Sequence, residues 1–544
     1  MAFIRIGLLT IFMAIAVDTA CAQTIYYPAQ SSQLLKATAA DMALLLNKSM
    51  HSTSLNSSPY TIMPTTGIIL SYDSTITGNQ SCRVESDGSS YIRFKAPQDN
   101  GLVYGIYQYL HQSGFRFYQP GTIWEIIPSL TSAYSKIDTI YNSKWAYKSW
   151  FISGGCNRWA MDNNNDYGWD TYYGENGHNW ALYQRRNGMT GNYRFAGHRG
   201  DIMSGSYLST IQNNPCYVAC FNGSRLAGGS SVPDIHSNPA MQLWSNAIDQ
   251  QYTTFRNAIF SNPTLYVNYY RNFNYNFGNI GIEVPDGAQW GNSTDNGTCG
   301  NATYPKASDQ HFTLANFTAQ RLTQSFPGKQ FQLYAYSSHA DVPSSGISIN
   351  DNIDVQVIPT AFQNESSPKG LMNRWYNKKK SVSEYHYLNI PQWGGETPMF
   401  YLEDLNAALN RAIEKNSQGI VWEASPAKFA SLPFLMAANE KLIAKTELDV
   451  TLRNFSNDMF GAAANTVYRL LKLWSDDKTI SAGNFINDNQ YKIPLYLQLL
   501  ADADKATQNE SAVIKERISE LKVYMHYMVL YYDWLNDKIG RAHV

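Results

Sequence analysis

The run Asn279-Ile280-Gly281-Ile282-Glu283-Val284-Pro285-Asp286-Gly287 reads as a short buried strand stopped by a proline and a glycine, with two carboxyl groups at the stop. The loop after it, Ala288-Gln289-Trp290-Gly291-Asn292, is aromatic and amide-rich. Barrel and open-sheet enzymes place their acids at the carboxyl ends of strands, although Asp and Gly also suit an ordinary solvated turn. A further acid, Glu423, ends the apolar run Gly419-Ile420-Val421-Trp422-Glu423, where a carboxylate must find a partner or face water. Two carboxyl groups across a cleft are the machinery of glycoside hydrolysis: one protonates the departing oxygen and the other activates water or attacks the sugar. Glu283 or Asp286 is the candidate acid, and Glu423 or Glu384 the candidate base or nucleophile.

Other polar and aromatic groups gather at the ends of neighbouring runs. In Glu384-Tyr385-His386-Tyr387, strand alternation puts Glu384 and His386 on one face and the tyrosines on the other, leaving open which face looks inward. Trp393, in a glycine-rich loop, is a candidate stacking platform for a sugar, and Trp422 adjoins Glu423. His198 and Arg199 sit between glycines, and Arg suits bidentate recognition of a carboxylate. Arg158, Tyr336 and His339 follow other strand-like runs. The expected substrate contacts are therefore Arg158, His198, Arg199, Tyr336, His339, Glu384, His386, Trp393 and Trp422, with no metal and no cofactor. No Ser-His-Asp elbow, P-loop or His-Glu-x-x-His motif is present, which disfavours those proteases and nucleotide enzymes.

The elements that must position these residues alternate over about 300 positions. Strand-like runs at 146–152, 191–196, 278–284, 331–336, 353–358, 382–388 and 419–423, with another at 217–221, are separated by helical stretches at 239–260, 308–326, 399–416 and 428–445. Such alternation predicts an α/β fold with a (β/α)8 TIM-like barrel over 146–445. A doubly wound sheet is the second choice, but no Gly-x-Gly-x-x-Gly follows the first strand. Residues 23–145 read as a small α+β domain, with Ser32 capping a helix. Residues 446–538 read as a helical domain. The closing Ile539-Gly540-Arg541-Ala542-His543-Val544 looks like a translated sequencing adapter, so the helical domain is expected to be truncated there.

Composition narrows the partners. The 544 residues carry 42 Lys+Arg against 43 Asp+Glu, which argues against a nucleic-acid binder. Aromatics reach 14% and charged residues only 16%, a balance that suits stacking on sugars, although most of these rings are expected to fill cores. Residues 1–22 read as a secretion signal, with Arg5, an apolar run and Ala20-Cys21-Ala22 as cleavage site, so the protein is expected to be secreted or periplasmic. Lipid anchoring at Cys21 is the lesser alternative, because Asp18 stands where such signals prefer an aliphatic residue. No later run is long enough to span a membrane. Cys82, Cys156, Cys216, Cys220 and Cys299 remain, an odd number in which Cys216 and Cys220 are spaced for a disulfide.

The segment Asp99-Asn100-Gly101-Leu102-Val103-Tyr104-Gly105, continuing through Gly114-Phe115-Arg116-Phe117 to Pro120-Gly121, resembles the domain that precedes the barrel in bacterial β-N-acetylhexosaminidases and α-glucuronidases. The whole layout resembles a secreted bacterial family of unknown function related to those enzymes, in which a strand ends in Asp-Gly as at Asp286-Gly287. The resemblance implies a barrel glycosidase acting on polysaccharide or glycan. It departs where the hexosaminidases carry adjacent Asp and Glu, since Val284 and Pro285 separate the acids here, and where a cysteine cluster is reduced to Cys299. A non-catalytic carbohydrate-binding barrel is the alternative.

Overall fold

The computed structural model describes residues 24–542 apart from 53, 79, 153–177, 190–197, 206, 226, 262–278, 294–298, 300–302, 360–367, 390–396, 399–401, 425–427 and 476–491. The chain first builds a sheet from β1 (Thr24–Pro28), β2 (Asn56–Tyr60), β3 (Gly67–Tyr72), β4 (Ser81–Ser86), β5 (Tyr91–Ala96) and β6 (Ile137–Asn142), in the order β2-β1-β3-β5-β4-β6. Helices α1 (Gln33–Ser49) and α2 (Asp99–Gln112) accompany it. The Ser32 hydroxyl accepts from Leu35 N, capping α1, while Asp99 at the start of α2 accepts from Ser32 N. Gly101 and Gly105 let α2 lie directly on β4: a Cβ would come within 2.5 Å of the Ser81 carbonyl oxygen at the first and 2.3 Å of Cys82 Sγ at the second. The glycine spacing that carried the resemblance is thus a helix-on-strand contact.

The second sheet comprises β7 (Tyr147–Ile152), β8 (Asn279–Gly281), β9 (Gln330–Ala335), β10 (Ile353–Val357), β11 (Val382–Asn389) and β12 (Gly419–Ala424). All its pairings are parallel, in the order β8-β9-β10-β11-β12-β7. Its first strand pairs with its last, which curls the sheet. Helices α3 (His178–Arg186), α4 (Asn238–Ser261), α5 (Ala307–Ser325), α6 (Pro368–Lys378), α7 (Leu402–Glu414) and α8 (Lys428–Ala444) fall between and after the strands. Helices α9 (Leu448–Phe460), α10 (Ala464–Ser475), α11 (Ile493–Ala506) and α12 (Ala512–Ala542) complete the described chain. The alternation read from the sequence recurs with ends shifted by a few residues. One expectation differs. Residues 217–221 are not a strand: a 3-10 turn at Pro215–Tyr217 leads into isolated bridges, and Val218, Ala219 and Cys220 are buried within a loop. The run at 191–196 and the leader at 1–22 lie outside the described residues.

A parallel sheet buries both faces, and here they are chemically different. Tyr147, Tyr334, Ile358, Tyr385 and Val421 form the concave core, with Tyr336 and Tyr387 packed on it. Ile420, Trp422 and Ala424, on the convex face of β12, join a core built mainly from α7 to α12. Glu384, also convex, binds the helices: its carboxylate accepts from Arg411 Nη2 on α7 at 2.7 Å, Tyr376 OH on α6 at 2.6 Å and His386 Nε2 at 2.9 Å. A second buried ion pair clamps α3 to α1, where Arg186 grips Asp41 through Nε (2.9 Å) and Nη2 (2.6 Å) and reaches Glu125 through Nη1 (2.5 Å).

Removing one partner of a buried pair leaves a charge uncompensated. Arg186→Ala is therefore expected to lower unfolding stability by roughly 3–5 kcal/mol in chemical denaturation. Glu384 gives a pH-dependent counterpart. Burial would raise its carboxyl, but His386 and Arg411 outweigh burial and hold it at about 2, against an ordinary 4.5. A depressed carboxyl stabilises the fold above its unfolded value and loses that contribution as pH falls through the folded value. Wild type should exceed Glu384→Gln by about 3 kcal/mol at pH 7, with the gap closing as pH falls from about 4.5 to 2. A pH-independent gap would contradict the ion pair.

Candidate active site

The concave face is polar at its floor. Tyr147 OH donates to Asp354 Oδ2 at 2.7 Å and lies 2.5 Å from Ser383 Oγ, Ser383 Oγ donates to Asp354 Oδ1 at 2.6 Å, and Gln332 Nε2 donates to Asp354 Oδ2 at 2.8 Å. Tyr147 lies flat over Gly419, where a Cβ would come within 2.3 Å of the ring. Burial raises the Asp354 carboxyl above its ordinary range, with the hydrogen bonds from Gln332, Ser383 and Tyr147 opposing. Four strands are thereby tied across the interior by one buried carboxyl group.

Tyrosines stand above this floor, toward the carboxyl ends of the strands. Tyr334 and Tyr385 meet edge to face at 5.5 Å, and Tyr385 and Tyr387 at 5.7 Å. Tyr385 OH donates to Glu423 Oε2 at 2.6 Å, and Glu423 is partly open to water. Tyr336 and Tyr387 hydrogen-bond one another, and both feel the charges of Asp286 and Glu423. Burial first, then the neighbouring carboxylates, raise both phenols above their ordinary range. Asp286 itself is exposed in the turn after β8. His198 is exposed on the same rim, 5.6 Å from the Tyr334 ring and 6.0 Å from Tyr336, and its Nδ1 donates to the Val284 carbonyl at 3.2 Å. That bond leaves Nε2 as the acceptor of a neutral ring. Asp286, Glu423, Tyr336, Tyr387 and His198 thus line one polar and aromatic rim that can stack on a sugar and exchange protons with it.

Glu283 goes elsewhere. It is fully buried, and Tyr334 N donates to its Oε2 at 2.6 Å. Its Oε1 lies 3.2 Å from His339 Nε2, and His311 Nε2 on α5 lies 3.9 Å from Oε2. Trp290 Nε1 donates to His339 Nδ1 at 3.3 Å, so the His339 proton sits on Nε2, toward Glu283. Burial, then the neighbouring His339, push His311 well below its ordinary range, keeping it neutral. Glu283, His311 and His339 offer ligand atoms within 4.8 Å of one another and form the group among the described residues that can hold a metal ion.

Several expected contacts are corrected by this geometry. Glu384 and His386 face the helices, because the tyrosines between them take the concave face. Trp422 is wholly buried in the convex core and offers no stacking surface. Arg199 turns away from the rim to Gln251 Oε1 on α4 and the Gly281 carbonyl, each at 3.2 Å. His339 is buried beside Glu283 and so is not a rim contact. Arg158 and Trp393 lie outside the described residues. His311 was missed, since a lone histidine in an amphipathic helix gives no local signal; Tyr385 and Tyr387 were named without a face, and Tyr147 and Tyr334 were not singled out.

A loop braces the rim. Cys216 pairs with Cys299, in place of the expected Cys216 and Cys220, and Cys220 is a buried thiol. Arg225 Nη1 meets Asp234 Oδ2 at 2.6 Å and its Nη2 meets Tyr304 OH at 3.0 Å. Gln289 N donates to the Ser230 carbonyl at 2.8 Å. The loop therefore seats directly against the turn that carries Asp286, where Ser230 Oγ donates to the Asp286 carbonyl at 3.3 Å.

No protein-family model matches the chain, and no curated protein is similar to it in sequence. Solved glycoside hydrolases are similar to it in fold. A family GH115 4-O-methyl-α-glucuronidase with specificity for decorated arabinogalactans aligns with a TM-score of 0.55 at 10% identity, over 92% of this chain and 70% of that one. A family 89 glycoside hydrolase from Clostridium perfringens gives 0.46 at 9% identity, over 94% and 64%. A β-N-acetylhexosaminidase from Bacteroides fragilis gives 0.37 at 13% identity, over 88% and 92%. The first of these carries the likeness, and at such identity it is a likeness of fold: a mixed α/β chain with a curled parallel sheet, shared with glycoside hydrolases.

Proposed function

We propose that the protein is a secreted glycoside hydrolase that acts on polysaccharide or glycan through Asp286 and Glu423. In this reading the curled sheet belongs to a (β/α)8 barrel over 146–445, preceded by an α+β domain at 23–145 and followed by a helical domain from 446. The observation that carries the proposal is that Asp286, in the turn after β8, and Glu423, on β12, both act on the Tyr336–Tyr387 pair. Glu423, whose carboxylate takes the Tyr385 proton donor, suits the base or nucleophile. Asp286, exposed at the rim, suits the group that protonates the leaving oxygen. Tyr336, Tyr387 and His198 supply ring faces and hydrogen bonds for a sugar. Glu283, sealed behind the rim, has no access to substrate and is proposed to support the turn that carries Asp286.

A non-catalytic sugar-binding reading draws on the same burial of Glu283, which removes one carboxylate from the cleft. The experiment that separates the two is a glycan-hydrolysis panel that includes uronic-acid-decorated polysaccharides, run on wild type, Asp286→Asn and Glu423→Gln. The expected result is cleavage by wild type and a loss of about 10²–10⁴-fold in kcat for each variant, with folding unchanged. Wild-type binding without cleavage would favour the sugar-binding reading, and cleavage unaffected by both substitutions would overturn the assignment.

A further inference from the structure

We propose that Glu283, His311 and His339 form a buried site for a divalent cation of the zinc class, which fastens the turn bearing Asp286 to the helix layer. Three observations meet here. The ligand atoms already approach, at 3.2 Å for His339 Nε2 to Glu283 Oε1 and 3.9 Å for His311 Nε2 to Glu283 Oε2, with all three atoms within 4.8 Å. Metal–ligand bonds of about 2.0–2.1 Å in a tetrahedral site put neighbouring ligands roughly 3.3 Å apart, so small side-chain rotations close the set. Second, His311 is 1% exposed, yet among the described residues neither ring nitrogen has a hydrogen-bond partner. The Tyr334 carbonyl is close enough to favour its proton but lies outside hydrogen-bond geometry. A buried polar atom with no partner is costly, and an ion facing Nε2 would satisfy that nitrogen. Third, Glu283 is fully buried, and among the described residues its carboxyl group meets two histidines and a backbone amide but no Lys or Arg, so no fixed cation competes with an ion for its oxygens.

Two imidazoles and one carboxylate match zinc and its neighbours better than calcium or magnesium, which prefer all-oxygen sets. Tyr334 N, which already holds Oε2, would orient the carboxylate as an outer partner. Binding has one proton consequence. Coordination through His339 Nε2 moves that proton to Nδ1, with no net release from a neutral ring. The Trp290 indole N–H would then face another donor, so it must turn away. Glu283 stands three positions before Asp286, His339 lies in the turn Ser337–His339 and His311 in α5, so the ion would tie three segments at the rim. This site does not depend on the hydrolase reading.

The test uses the full chain, stripped with a chelator and titrated with zinc alone under equilibrium dialysis, with metal content and Tm as readouts. Wild type is expected to take up one equivalent and to gain roughly 2 °C or more in Tm. His311→Ala and His339→Ala are expected to bind roughly a hundredfold more weakly or not at all, whereas His236→Ala, at an exposed histidine, keeps full uptake. Should either ligand variant fail to fold, wild-type stoichiometry still decides. Less than one equivalent at micromolar zinc overturns the proposal, as does uptake that survives in folded His311→Ala and His339→Ala.

Discussion

A parallel sheet with both faces covered sends neighbouring residues into different environments, and that alternation governs this molecule. On β11, Tyr385 and Tyr387 enter the concave core, while Glu384 and His386 meet Arg411 and Tyr376 among the helices. On β12, Val421 and Glu423 lie inward and Trp422 outward. A slip of one residue in either strand would bury the cleft's carboxylate against helices and turn an ion pair into the interior. The floor network around Asp354 draws on β7, β9, β10 and β11 and resists such a slip in β11, because each of its hydrogen bonds needs the observed register.

The same constraint sorts four carboxylates into distinct chemical roles. Glu384 is paired with Arg411, hydrogen-bonded to His386 and Tyr376, and serves stability. Glu283 is enclosed by two histidines and a backbone amide. Asp286 and Glu423 alone of the four keep contact with water. Reaction chemistry at a sugar needs carboxyl groups that substrate can reach, so exposure, more than sequence position, separates candidates from supports.

Much of the fold was legible because its periods are long and strong. The helices at α4, α5 and α8 and the strands β9 to β12 fall within a few residues of their expected bounds. The site was less legible. The run around Glu283 and Asp286 marks a strand end in sequence, but its two acids, three positions apart, part company, and only packing tells which one meets solvent. The face of β11 was a free choice in sequence, since both sets of alternating residues contain polar groups; helix-borne Arg411 and Tyr376 decide it. His311 and the pairing of Cys216 with Cys299, 83 residues apart, depend on contacts that no local pattern encodes. Residues 217–221 had strand-like composition because the loop buries them, a reminder that apolar runs report burial before they report secondary structure.

The most direct measurement is a crystal structure of the protein with an oligosaccharide in the cleft, read for the separation of the Asp286 and Glu423 carboxyl groups. A separation of about 5–10 Å, with a glycosidic oxygen between them and a sugar ring against Tyr336 or Tyr387, is the expected result. Carboxyl groups well beyond that range, or a sugar bound away from the rim, would contradict the assignment of Asp286 and Glu423 to one hydrolytic site.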